Sequence, residues 1–200
     1  PIYVTTSPFD LLERAIAANG RPNVRTQVCF WRGAERSNWV DKAHKTDHKF
    51  APSKEEPLVY HLFGLEAYPE SMVLSEDDTL DFLTAIAKDT NPDQPMVPLY
   101  LRQAIAQSSL ILIGFRLRDA DFRVLFRGLI SEMPSSLRQH SLAVQDDPRQ
   151  RSSVIATAKL IDYLNLYLRD AKFSIEWNSP DGFAAKLAAR VKAMHVGYGM

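Results

Sequence analysis

The chain has 200 residues, 46% of them hydrophobic and 24% charged, a balance close to the average soluble globular protein and a length sufficient for one α/β domain with a sizeable core. Lys and Arg total 24, as do Asp and Glu. The net charge of +0 gives no overall electrostatic drive toward nucleic acid or membrane.

The single cysteine, Cys29, rules out an internal disulfide framework and leaves a Cys-based zinc site all but impossible. It lies in the apolar run Val28-Cys29-Phe30-Trp31 and reads as a buried small hydrophobe. A reducing, cytoplasmic compartment is therefore expected. No apolar run approaches the ~20 residues of a membrane span, and no signal peptide is visible. The chain opens on Pro1 where a natural start carries Met, and is read as part of a longer protein.

Ile2 to Thr6 is a short β-rich run that ends in polar residues. Ser7-Pro8 follows and reads as a helix start, since Ser is a good N-cap and Pro suits the first helical position. Phe9, Leu12 and Ile16 recur at helical spacing, and Asn19-Gly20 stops the helix. A strand is expected at Gln27 to Trp31. Residues 32–56 are polar, with Trp39, His44 and His48 as landmarks and no clear period, and read as an insertion or flap. His44 and His48 stand at i,i+4 with Asp41 and Asp47 nearby, either a metal face on a helix or simply a solvated polar surface; no third ligand is evident, and no metal is expected.

Leu58 to Phe63 is the next strand, ended by Gly64. Ser75-Glu76-Asp77-Asp78 has the form of a capping box, and its helix runs through Leu80, Phe82, Leu83 and Ile86. Asn91 to Pro98 is a loop, and Leu99 to Gln107 is helical. Ser109 to Phe115 is the most hydrophobic strand; its unbroken apolar run predicts burial on both faces, as in a central parallel strand. A helix through Phe122, Leu125, Phe126 and Leu129 follows, capped by Asp119 or Asp121. His140 to Gln145 is a strand, Val154 to Leu168 a helix whose stripe Tyr163, Leu164, Tyr167 and Leu168 reads as core, and Phe173 to Trp177 a last strand. Ser179-Pro180 opens a final helix to about Met194. Strands alternating with helical patterns predict βαβ units and a parallel sheet.

Four segments in order carry a family resemblance. Tyr3-Val4-Thr5-Thr6-Ser7-Pro8-Phe9-Asp10-Leu11-Leu12-Glu13 is similar to the Thr-Thr-Asn-Tyr-Asp-x-Leu-Leu-Glu run of the SIR2-like family. Pro57 to Gly64 and Pro69 to Asp78 resemble its His-Leu-x-Gly strand and Leu-Thr-Glu-x-Asp helix start. Leu110 to Arg123 resembles its Gly-Tyr-Ser-Leu-x-Asp-x-Asp segment. A weaker fourth likeness lies around Val144-Gln145, Tyr163-Leu164 and Ile175-Glu176-Trp177. Together they span nearly the whole chain.

The resemblance implies a Rossmann-like three-layer α/β fold with a mostly parallel sheet, here as a single domain over residues 1–200 that lacks the N-terminal phosphate-loop strand: the family's Gly-x-Gly loop lies before the Thr-Thr run, and this chain has no Gly before Gly20. It also implies NAD, or a related nucleotide, as substrate or ligand. Many members are effector modules of bacterial anti-phage defence proteins that hydrolyse NAD to nicotinamide and ADP-ribose, often as oligomers, so a homo-oligomer or other domains of the same protein are the expected partners.

By the same likeness, His61 matches the family's His, which meets the ribose hydroxyls and serves as base; an unperturbed imidazole titrates near neutrality. Ser7 stands where the family has Asn, a shorter group without the amide's paired donor and acceptor, and Asp10 stands with it as a catalytic candidate. Thr5, Thr6, Gly64, Gly114, Arg116 and Asp119 are the candidate cofactor-binding positions. Local alternatives stand beside these roles. Ser7-Pro8 also fits a plain helix cap, Asp119 and Asp121 also fit caps, and Arg116, which replaces a family Ser, fits a phosphate clamp, a filled ribose pocket or a solvated basic edge shared with Arg118 and Arg123. Two functions follow: an NAD-hydrolysing effector module, or a catalytically degenerate domain for interaction, oligomerisation or nucleotide sensing.

Overall fold

The computed structural model describes residues 1–32, 51–89, 95–116, 122, 124–125, 128, 139–147, 154–169 and 172–197. The metal-face candidates His44 and His48, the landmark Trp39, and the positions Arg118, Asp119, Asp121 and Arg123 lie outside the described residues. The chain divides into two compact units, Pro1–Pro98 and Leu99–Met200.

In the first unit, β1 (Ile2–Thr5), β2 (Arg25–Val28) and β3 (Leu58–His61) form a parallel sheet in the order β1-β3-β2. The middle strand β3 pairs Thr5 with His61 on one side and Val28 with His61 on the other. All four β3 residues are buried, as expected of a parallel strand covered on both faces. Helix α1 (Leu11–Ala18) connects β1 to β2. It ends in a Schellman pattern, with Gly20 N donating to the Ala17 carbonyl and Arg21 N to that of Ile16.

A single 3-10 turn, Pro69–Ser71, follows β3, and then comes α2 (Glu76–Ala87). The capping box read from the sequence is present in full: the Ser75 hydroxyl accepts from Asp78 N, and the Asp78 carboxylate accepts from Ser75 N. Phe82, Leu83 and Ile86 are its buried face. The Phe82 ring meets Trp31 and Phe63 edge-on, with centroids 5.8 and 5.1 Å away, a favoured aromatic geometry. Cys29 is buried and unbridged, and its thiol reaches the Met96 carbonyl at 3.7 Å.

The second unit begins with α3 (Leu99–Gln107). Its strands β4 (Ile111–Leu112), β5 (Ser141–Gln145) and β6 (Phe173–Trp177) form a parallel sheet in the order β4-β5-β6. Helices α4 (Val154–Arg169) and α5 (Pro180–Gly197) flank β6 in the chain. Leu164 and Leu168, one turn apart on α4, pack with Phe122, Ala143 and Phe173 into a core. Tyr163, on the stripe read as core, is 54% exposed and stacks on Tyr167 instead.

The mixed α/β fold with parallel sheets agrees with the Rossmann-like class read from the sequence. Two details differ. The apolar run Ser109 to Phe115 yields only the two-residue β4, an outer strand of its sheet among the described residues, with Ile111 and Ile113 about half exposed. Hydrophobicity marked it as a strand, but a parallel strand is covered twice only when neighbours flank it, and in these sheets β3 and β5 hold that position. The other difference is at α1, which starts at Leu11 rather than Pro8. The Ser7 hydroxyl accepts from Phe9 N at 3.3 Å, which makes a local turn, two residues long, in place of a helix cap.

Candidate functional site

Two consecutive hydroxyl turns shape the chain as it leaves β1. Thr5 Oγ1 accepts from Ser7 N at 3.0 Å, and Ser7 Oγ then accepts from Phe9 N. Such side-chain-to-backbone bonds replace the strand ladder with a bend. The loop is tied to the segment after β3 by Glu66 N donating to the Pro8 carbonyl at 2.9 Å. The strand ends themselves remain locked, with Leu62 N on the Thr5 carbonyl and Cys29 N on that of His61.

This bend brings the Ser7 carbonyl to His61 Nδ1 at 3.0 Å. His61 is fully buried. Its other ring nitrogen, Nε2, lies 2.7 Å from Glu13 Oε1, which projects from α1. The same Oε1 accepts from the Thr26 hydroxyl of β2 at 3.0 Å, while Glu13 Oε2 is buried and has no hydrogen-bond partner among the described residues. Four elements thus meet, with the β1 loop and His61 of β3 at the carboxyl ends of their strands, Thr26 two residues before the end of β2, and Glu13 reaching them from α1. Ligands of open α/β sheets bind at the carboxyl ends of the strands.

The hydrogen-bond network assigns the ring hydrogens. A carbonyl only accepts, so Nδ1 carries its hydrogen toward Ser7. Nε2 faces a carboxyl oxygen, so one proton lies on the line between Nε2 and Oε1. The buried pair is neutral as a whole, which is how a low-dielectric interior accommodates two ionisable groups. In this arrangement His61 is a donor at Nδ1, with no free lone pair there.

Of the candidate positions, Thr5, Ser7 and His61 meet directly, and Thr6 lies in the same bend. Asp10 does not join them. Its half-exposed carboxylate pairs with Arg14 at 3.0 Å, one turn along α1. Gly64 adopts a left-handed φ of 85°, and a Cβ there would lie 2.3 Å from the Ser71 carbonyl oxygen. The close approach that this glycine permits is to the chain's own backbone. Gly114 in the second unit has φ 83°, and among the described residues no atom lies within 4 Å of where its Cβ would stand; Arg116 nearby is exposed.

Glu13 is the contact that reading residue by residue left unassigned. Its signal was present: it adjoins Leu12 and lies three residues before Ile16, a charged residue flanking the apolar stripe of α1. An inward-leaning carboxylate needs a partner, and only the tertiary structure identifies that partner as His61.

Among the described residues no helix is long and apolar enough to cross a membrane. A family model for the SIR2-like domain matches residues 1–166. No curated protein matches the chain.

Proposed function

The chain belongs to the SIR2-like domain family, and on that premise we propose that it binds NAD and hydrolyses it to nicotinamide and ADP-ribose, as an effector module of an anti-phage defence protein. The observation that carries this reading is the junction of Thr5, Ser7 and His61 at the carboxyl ends of adjacent parallel strands. Hydroxyls and an imidazole form a donor set that suits the hydroxyls of a ribose. The ligand supplies a glycosidic bond whose cleavage leaves positive charge on the sugar.

In this reading His61 meets the ribose hydroxyls and takes the proton that the attacking water releases. Ser7 holds that water through its hydroxyl, less firmly than an amide does. Thr5 keeps Ser7 in place through the bond from Ser7 N. Gly114, Arg116 and Asp119 are proposed to face the phosphates and ribose, Arg116 by a two-pronged contact. Asp10 is proposed to serve α1 through Arg14.

One observation favours a second reading, a degenerate domain that senses a nucleotide or assembles with other copies or domains. His61 is fully buried, and both of its nitrogens are bonded within the chain. A group so enclosed turns nothing over until the Ser7 carbonyl moves away.

Incubating the full-length protein with NAD and measuring nicotinamide release separates the two. Hydrolysis is expected, lost in His61→Gln and raised in Ser7→Asn. Absence of turnover in every oligomeric state of the wild-type protein overturns the hydrolytic reading in favour of the degenerate one.

A further inference from the structure

We propose that Glu13 is the positioning residue of this site: its carboxylate keeps a ring hydrogen on His61 Nε2 and thereby makes Nδ1 the working nitrogen. The inference rests on His61 being the base of the proposed hydrolysis. Three facts carry it. Nε2 and Oε1 are 2.7 Å apart in a fully buried setting. Thr26 anchors the same oxygen from a different strand at 3.0 Å, so the carboxylate is held from two sides. The partner on Nδ1 is of another kind, a backbone carbonyl in a loop between β1 and α1.

An imidazole offers a lone pair on one nitrogen only when its hydrogen sits on the other. A carboxylate accepts and therefore holds the hydrogen on Nε2, the logic by which a buried acid orients the histidine of hydrolytic triads. In the resting ring Nδ1 also carries a hydrogen, donated to the Ser7 carbonyl; when that carbonyl moves off, the Nδ1 proton passes to solvent water, which leaves the lone pair on Nδ1 and the hydrogen on Nε2. The attacking water's proton passes to Nδ1, its oxygen bonds to the sugar carbon, and the bond from that carbon to nicotinamide breaks with its electron pair leaving on the nicotinamide ring nitrogen. Glu13 neither touches the ligand nor changes protonation in that step.

Replacing Glu13 by Gln reverses the choice. The amide NH2 in the Oε1 position donates one hydrogen to Nε2 and the other to Thr26 Oγ1, satisfying both. The ring then keeps only its Nδ1 hydrogen, facing the Ser7 carbonyl, and the lone pair is on Nε2, the wrong atom. The fold is kept, since no hydrogen bond of the ring is lost.

The test uses the full-length protein labelled with 15N-histidine, with the His61 signals assigned by their loss in His61→Gln. The expected result is a proton-bearing Nε2 in the wild type and a bare, accepting Nε2 in Glu13→Gln. Nicotinamide release is expected to fall in kcat by roughly tenfold or more, with KM changed less than about twofold. Thr26→Val, which keeps the carboxylate but frees it from β2, is expected to move the same signal partway and covers the case in which Glu13→Gln does not fold. An Nε2 signal unchanged in the folded Glu13→Gln protein, or in Thr26→Val if that is the only folded variant, overturns the proposal. A signal that moves as expected in a wild-type protein that turns over no NAD supports the role of Glu13 toward the ring and defeats the hydrolytic reading alone.

Discussion

His61 and Gly64 are separated by two residues, and the structure gives them different reasons to exist. The histidine has no exposed surface and is held by Ser7 and Glu13. The glycine lies where a Cβ would strike the Ser71 and Met72 backbone. Gly64→Ala is therefore expected to cost about 1–3 kcal/mol for the left-handed conformation alone, and more once the 71–72 segment is displaced. Gly114→Ala meets the same conformational penalty with no atom of the described residues within 4 Å of the added Cβ, so its unfolding midpoint should fall distinctly less. Equilibrium denaturation of the two variants checks the order; equal losses would mean that the clash at Gly64 is relieved by a small backbone shift. Gly64 answers to packing, whereas the buried hydrogen bonds gather at the histidine and at a glutamate that no single-residue argument had singled out.

The start of α2 was readable as a line of text. Ser75 and Asp78 stand three apart before an apolar run, and the reciprocal bonds they promise are both made. The Asp78 carboxyl is held below the usual carboxylate range, first by the backbone N–H of Leu74, then by that of Ser75, with smaller help from the Ser75 hydroxyl and the Arg32 charge. Arg32 pairs with it directly while lying over the Trp31 ring. A carboxylate whose folded pKa is depressed stabilises the fold fully above its unfolded value near 3.9, and that contribution is lost as pH falls through the lower folded value. Wild-type stability should therefore drop on acidification below about pH 4, more steeply than that of Asp78→Asn. Ser75→Ala should cost about 1 kcal/mol at neutral pH. Thermal unfolding against pH tests both, and parallel profiles for wild type and Asp78→Asn would show that the cap is not the acid-sensitive element. The start of α1 was less legible, because the Ser7 hydroxyl accepts from Phe9 N in a local turn and the helix begins only after Asp10.

Binding of NAD to a folded protein raises its apparent stability by RT ln(1 + [L]/Kd), about 2.7 kcal/mol at a hundredfold excess over Kd. The full-length protein should accordingly melt at a higher temperature in saturating NAD, and His61→Gln should retain part of that rise because the positions proposed to face the phosphates are untouched. No shift at any NAD concentration would remove both catalysis and nucleotide sensing, leaving assembly as the role. The net charge of +0 offers no general attraction for this anionic ligand, so any affinity must come from local groups such as Arg116.

The order of apolar runs, turn residues and caps sufficed to state an α/β fold with parallel strands, the α2 capping box and the positions of β5, α4 and β6. These depend on periodicity and on bonds between residues a few positions apart, which a chain carries in its own order. Membership in the SIR2-like family, matched over residues 1–166, was legible for the same reason. Which strand is flanked on both sides depended on who its neighbours are, and among the described strands β5 held that place in the sheet where hydrophobicity had pointed to residues 109–115, as β3 did in the other sheet. The His61–Glu13–Thr26 contact joins residues 48 apart and 13 apart in the chain. No local pattern encodes such a meeting, because it exists only after β1, β2 and β3 have paired and α1 has crossed between them. What began as a histidine in a motif is, in the folded protein, a ring whose two nitrogens are assigned by partners from two other elements.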